Sequence, residues 1–337
     1  MSPSARNLSP SRAAARLGVS AKALRLYERH GLIVPGRTSA GWRVYGPAEM
    51  ARATEIVSLR TLGLSLAQVA RVLDGDSTDL DAGLAAHEAW LRGQEKAITT
   101  ALDKVRRLRS DLLNGEVPPP AALARMLDTG TGLTVAFDLP WPWGGEAFAL
   151  RDIRPLTYIT GPLGSGKTRL AERLAETLPG AAFVGMDRIA GDMADPALKT
   201  RVEQALAWLI EDGAEASDAL IALIMALEAD GPEILVIDMV EQGLERATQE
   251  ALVAHLRLRV PRKRALFLLT RSSSILDLEA VGEGETIILC PANHSPPICV
   301  APYPGGLGYE AVSTCLAAPD IRARTAGVIA WRPHAGA

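Results

Sequence analysis

The sequence predicts a multidomain chain: an α-helical winged helix-turn-helix with one long coiled-coil helix, and then an α/β domain built on a mainly parallel sheet. Three observations carry this. The first sixty of 337 residues hold ten Lys or Arg against three acids, net +7, while the remainder carries 26 basic against 36 acidic residues, net −10. Between them, Leu84, Leu91, Ile98, Val105 and Leu112 recur every seven residues in a stretch free of proline. Further on, an apolar run at 156–160 leads straight into Gly161-Pro162-Leu163-Gly164-Ser165-Gly166-Lys167-Thr168.

The basic module opens with a short helix over 8–17, capped by Ser9 or Ser11 and stopped by Gly18. Ser20 caps a second helix with Leu24 and Tyr27 on its apolar face. Helix, glycine turn and second helix make a helix-turn-helix. Pro35-Gly36 breaks the chain, and residues 33–46, with Arg43-Val44-Tyr45 alternating after a turn at Ser39-Ala40-Gly41, form a small β-wing. Helices at about 47–62 and 65–74 complete the module, the last capped by Ser65.

Residues 8–74 closely resemble the MerR family of transcriptional regulators. The resemblance rests on Val19-Ser20, Leu24-Arg25-Leu26-Tyr27-Glu28, His30-Gly31-Leu32, Pro35 and Arg37, then Gly41-Trp42-Arg43-Val44-Tyr45, Leu59-Arg60 and Leu62-Gly63-Leu64-Ser65-Leu66. It implies a homodimer joined by an antiparallel coiled coil and bound to a double-stranded promoter or operator. Bases are read by the second helix, and phosphates are held by basic and hydroxyl groups around it. On this reading Ser20, Lys22, Arg25, Tyr27, Arg37, Arg43 and Tyr45 contact DNA, with Lys22 and Arg25 three apart on one helix face. Arg43 and Tyr45 have a second reading, as braces of the wing against the core. Trp42 reads as a packing residue.

The heptad positions at 84–112 form a seam that a single helix cannot bury. His87, Gln94, Ala101 and Leu108 occupy the alternate positions and make it a weak or register-specific one. Asn114-Gly115 ends the helix, and Pro118-Pro119-Pro120 marks a stiff linker. The chain therefore divides into a DNA-binding domain at 1–76, a coiled-coil dimerisation helix at 77–114, a linker at 115–129 and a nucleotide-binding domain at 130–337.

The motif at 161–168 satisfies G-x-x-x-x-G-K-[ST], after a strand and at the start of a helix, which is the context of a P-loop. Its glycines let backbone N–H groups wrap phosphates. Lys167 reaches the β and γ phosphates, and Thr168 offers a hydroxyl to Mg²⁺. Asp238, closing the apolar strand Ile234-Leu235-Val236-Ile237, is the second Mg²⁺ ligand. The expected cofactors are ATP or ADP with Mg²⁺. Strand-like segments at 133–139 and 147–150 lead in, and others at 265–269 and 286–289 follow.

The order of these elements resembles the ABC-type ATPases, so the domain is expected to be ABC-like, and four departures accompany the likeness. The family pairs its Walker aspartate with a glutamate, but Met239 follows Asp238 here. Glu241, two residues on, is the candidate catalytic base, provided the loop bends. Arg271 stands where the family has a switch histidine. The signature region near Glu215-Ala216-Ser217-Asp218 has no glycine, and no Q-loop glutamine follows Phe183. A base must reach the attacking water, so the expectation is nucleotide binding with weak or absent hydrolysis. The alternative is an ATPase or small-molecule kinase tethered to DNA, with Asp187 in Met186-Asp187-Arg188 as a substrate-binding acid. Trp143 is either an adenine-stacking or a packing residue.

Hydrophobic residues make up 48 % of the chain, ample for packed cores, yet no apolar run reaches membrane-spanning length. The N-terminus lacks the apolar core of a signal peptide. Three cysteines without framework spacing point to a reduced cytoplasmic setting. Cys290, His294 and Cys299 do not match compact zinc spacings, and Cys290 reads as a core residue at the end of a strand.

Overall fold

The computed structural model describes residues 7–78, 80–114, 134–151, 153–189, 191, 195–258, 264–282, 284–319 and 321. The expected linker at 115–129 lies outside them.

The head is built from α1 (Pro10–Leu17), α2 (Ala21–Arg29), a two-stranded wing of β1 (Gly36–Arg37) and β2 (Arg43–Val44), α3 (Pro47–Thr61) and α4 (Leu66–Leu73). Its boundaries follow local chemistry. Gly18 takes the left-handed conformation (φ 68°) that ends α1, its N–H bonded to Ala14 and Ala15 carbonyls. Ser20 caps α2 by accepting from the Ala23 N–H, and Ser65 and Gln68 form a reciprocal capping box at α4. Apolar residues from every helix, among them Ala13, Leu24, Tyr27, Ile56 and Val69, close one small core.

Helix α5 (Leu80–Leu113) is one 34-residue rod. The five heptad residues Leu84, Leu91, Ile98, Val105 and Leu112 all stand exposed on it.

The C-terminal domain is α/β. A hairpin of β3 (Val135–Asp138) and β4 (Ala147–Leu150) precedes a six-stranded sheet of β5 (Leu156–Thr160), β6 (Ala181–Val184), β7 (Ile234–Ile237), β8 (Ala265–Leu269), β9 (Glu285–Leu289) and β10 (Ile298–Val300). The sheet order is β10-β9-β5-β8-β7-β6, parallel throughout except for β10 at the edge. Helices cover both faces: α6 (Lys167–Thr177), α7 (Pro196–Glu211), α8 (Asp218–Glu228), α9 (Arg246–Leu258) and α10 (Tyr309–Cys315).

Strands covered on both sides read as unbroken apolar runs, and β5, β7 and β8 are buried along their whole length. Alternation sorts their side chains into two cores. Tyr158, Leu235, Ile237, Leu266 and Leu268 face α7, α8 and α9. Ile159, Val236, Phe267 and Leu269 face α6 and the hairpin.

The head rests on the C-terminal domain at the corner between α7 and α8. Asp212, whose side chain is fully buried, faces the Arg60 guanidinium at 2.8 Å and accepts the Leu66 N–H at 2.6 Å. Arg60 also donates to the Leu64 carbonyl and stacks over the Trp208 ring, whose Nε1 donates to Gly63. Burial pushes the Asp212 carboxyl up, and Arg60 and the Leu66 N–H pull it back.

Taking one partner from a buried ion pair costs about 3–5 kcal/mol when the other stays buried. In an Asp212→Ala variant the head is therefore expected to lift from this corner, with amide exchange at Leu66 rising at least about tenfold. Exchange at Leu66 as slow as in the parent chain would contradict this account of the seam.

Candidate functional site

Strand β5 ends at Thr160, and the chain turns through Gly161–Gly166 into α6. Two of these turns admit glycine alone. At Gly161 (φ 152°) a Cβ would sit 2.3 Å from the Cys290 carbonyl oxygen. At Gly166 (φ 88°) it would sit 2.6 Å from the Trp143 ring. The first N–H groups of α6 have no partners within the helix, and its positive dipole end opens on the loop.

Lys167 is buried and turned back on this loop. Its Nζ donates to the Gly161 carbonyl at 2.9 Å and the Pro162 carbonyl at 2.6 Å, with Ser165 Oγ at 3.4 Å. Burial pulls its ammonium down to about 8. Thr168 Oγ1 donates to Asp238 Oδ2 at 3.0 Å, so the end of β7 meets the start of α6 where the sequence places both Mg²⁺ ligands. Burial raises the Asp238 carboxyl, and the Thr168 hydroxyl partly offsets it.

Past Asp238 the chain does bend. Met239 takes a left-handed φ of 42°, which costs a side-chain-bearing residue strain. The turn closes with the Gln242 N–H on the Met239 carbonyl. It delivers Glu241 to a buried position, where Oε1 accepts the Arg271 N–H at 3.0 Å.

Arg188, which sequence reasoning passed over beside Asp187, braces the same turn. Its guanidinium donates to the carbonyls of Asp238 at 2.8 Å and Met239 at 3.0 Å. Asp187 itself is exposed.

Trp143 is buried against Gly166, with Nε1 donating to the Ser295 carbonyl. This is the packing reading, since a ring fixed under the loop offers no free face for a base. Cys290 lies beneath the P-loop with its thiol pushed up to about 12 by burial. His294 Nε2 lies 3.1 Å from the Gly164 carbonyl oxygen.

In the head, several expected DNA contacts need correction. Tyr27 and Tyr45 are 5 % and 1 % exposed, and the Tyr45 hydroxyl is buried without a hydrogen-bond partner among the described residues. Tyr27 follows Leu24 by three positions and shares its apolar face. Tyr45 pairs its backbone with Leu8 and points into the core. The Tyr45 hydroxyl is turned away from the surface, and Tyr27 lines the cleft between the head and the C-terminal domain.

Arg43 braces the wing, with Nε donating to Glu28 Oε2 at 2.6 Å, and Arg37 lies 3.8 Å from the same carboxylate. Ser20 spends its hydroxyl on the helix cap. Trp42, expected to pack, is 75 % exposed at the wing. Arg25 is exposed.

Lys22 does not share Arg25's open setting. Its Nζ donates to the Ser273 carbonyl and lies 3.7 Å from Asp277, both in the C-terminal domain. Arg29, two turns along α2, reaches Glu250 at 2.8 Å.

Residues 8–76 match the family model described as MerR HTH family regulatory protein. The nodulation protein NolA of Bradyrhizobium sp. (strain NC92) is 34 % identical over 95 residues, 28 % of this chain and 40 % of NolA, so the chain spans under half of that relative's length. Among solved structures, HiNmlR, a MerR family regulator lacking the sensor domain and bound to promoter DNA, overlays 33 % of this chain and 97 % of its own (TM-score 0.27, 18 % identity). A bacterial Atm1-family ABC exporter with ATP bound overlays 81 % of this chain and 68 % of its own (TM-score 0.38, 12 % identity), a distant likeness. The chain thus joins an N-terminal MerR HTH domain to a C-terminal α/β domain with a mainly parallel six-stranded sheet.

Proposed function

We propose that this protein is a DNA-binding transcriptional regulator of MerR type whose C-terminal domain binds ATP or ADP with Mg²⁺. The observation that carries the nucleotide half is the meeting of Thr168 and Asp238 at 3.0 Å beside a glycine loop that packs too closely for side chains. A hydroxyl and a carboxylate oxygen are the hard donors Mg²⁺ takes, and these two residues would hold it. Bound there, the ion would neutralise phosphate charge. Lys167 gives up its carbonyl partners for phosphate oxygens. Trp143 and Cys290 support the loop from behind.

Hydrolysis is weak or absent on this reading. Glu241 comes near Asp238 through the Met239 turn, but the carboxylate is buried, with Oε1 held by the Arg271 N–H and Oε2 shut away from solvent. A general base has to lie within hydrogen-bond reach of the attacking water.

In the head, Arg25, Arg37 and the exposed Trp42 remain at the surface to meet a duplex, with Lys22 and Arg29 joining once free of their present partners. The exposed heptad residues of α5 supply the seam for a second copy of the chain.

Three outcomes test this. Lys167→Ala is expected to weaken ATP-Mg²⁺ binding at least about tenfold by calorimetry, the scale of a lost charge-assisted contact, and turnover by the parent chain stays below about 1 s⁻¹. Unaltered affinity in the variant removes the P-loop from the account, and faster turnover removes the idle Glu241.

The second outcome concerns pH. The free protein loses the Lys167 proton near pH 8 while phosphate holds it on in the complex, so affinity falls as pH rises through 8. The decline is up to about tenfold per pH unit, and a flat calorimetric profile between pH 7 and 9 contradicts it. Third, Leu91→Asp with Ile98→Asp is expected to turn a dimer into a monomer in analytical ultracentrifugation. A variant that stays dimeric assigns the interface elsewhere.

A further inference from the structure

The face of the head that carries Lys22 and Arg29 is covered by its own C-terminal domain. Four cations of the head each lie against a carboxylate across the seam: Lys22 with Asp277, Arg29 with Glu250, Arg60 with Asp212, and Arg71 with Glu211. Two of the four stand on α2, the helix that reads bases in this architecture. Lys22 and Arg29 are seven residues apart, which on an α-helix is two turns and one face. Lys22 also lies in the first turn of α2, and the first residues of a recognition helix are the ones that reach base edges.

The covering surface is therefore acidic where DNA is acidic. The +7 of the first sixty residues and the −10 of the remainder are brought into register by the fold. Duplex DNA and this carboxylate face are alternative occupants of one cationic surface.

The seam is also built to part. Beside its single buried pair it encloses a cleft of about 380 Å³ between α2, α3 and α9, lined by Leu26, Val57, Val253 and Leu258. A dry, close-packed contact would leave no such space, and polar, incompletely packed seams between domains are those that open. The outer pairs are partly solvated, with Lys22 and Arg29 side chains 31 % and 54 % exposed. Pairs of this kind contribute little each and yield to a denser array of phosphates.

We infer that the C-terminal domain masks the recognition helix by imitating DNA phosphates, with Asp277 on Lys22 and Glu250 on Arg29, so that DNA binding requires the head to undock. This rests on the DNA-binding reading of the head.

The experiment uses the full chain throughout. A carbodiimide, which joins an ammonium to a carboxylate with loss of water and conversion of the reagent to its urea, is expected to form a Lys22–Asp277 amide detectable by mass spectrometry. A saturating 30-base-pair mixed-sequence duplex present beforehand is expected to cut the yield at least about fivefold, because both ligands claim the same ammonium. In parallel, the near-isosteric Glu250→Gln/Asp277→Asn double variant is expected to bind that duplex about tenfold more tightly than a charge-matched Glu172→Gln/Glu176→Gln control, two pairs' worth of released attraction. Crosslinking that is indifferent to the duplex, or affinity gains equal in the two variants, overturns the mask while leaving the DNA-binding reading intact. Binding of the duplex by none of the chains overturns both.

Discussion

The way the two halves of this chain sit together depends on one buried ion pair. Asp212 ends α7 with its side chain wholly removed from water, a position a carboxylate tolerates only when its charge is met and its lone pairs are filled. Arg60 meets the charge, and the Leu66 N–H, an otherwise orphaned donor in the first turn of α4, fills a lone pair. Trp208 lies against the guanidinium and fixes its plane. Around this point lie the outer pairs of the seam, Lys22 with Asp277 and Arg29 with Glu250.

The glycine loop at 161–166 obeys a different constraint, which is lack of room. Its floor is the carbonyl of Cys290 and its flank is the Trp143 ring, both too close to Gly161 and Gly166 for any side chain. Lys167 is held by the loop's own groups, the Gly161 and Pro162 carbonyls and the Ser165 hydroxyl. An ammonium held by neutral dipoles inside a buried pocket favours the charged form weakly, and this is why it is the group there with the most to gain from an anion. Arg188 and the Gln242 N–H hold the bend after Asp238, and the Arg271 N–H holds Glu241.

Much of this could be read from residues alone. Glycine at 18, serine at 20 and 65, and the unbroken apolar strands around the P-loop each announce a boundary or a layer by a local rule, and the structure follows them. The pairing of Thr168 with Asp238 was legible because a P-loop helix and a strand ending in an acid leave few other arrangements. The errors have one physical cause. Tyr27 and Tyr45 have polar tips, and a polar tip says nothing about which side of a helix or strand its ring faces. Leu24 three residues earlier held that information for Tyr27. Trp42 erred in the opposite sense, because a large ring in the turn before a two-residue strand has no second layer to pack on. Arg188, and the seam that claims Lys22 and Arg29, depend on contacts fifty or more residues apart in the chain, where periodicity carries no signal.

The segment that follows β8 belongs to both halves at once. Its Arg271 N–H is bound to Glu241, and two residues later the Ser273 carbonyl receives Lys22. Between them Ser272 is stapled to Gln249 of α9, and the Ala317 backbone bridges Arg271 and Ser273. A stretch so short and so tethered has little slack. The turn that places Glu241 and the helix that carries Lys22 are therefore fastened to one another through three consecutive residues.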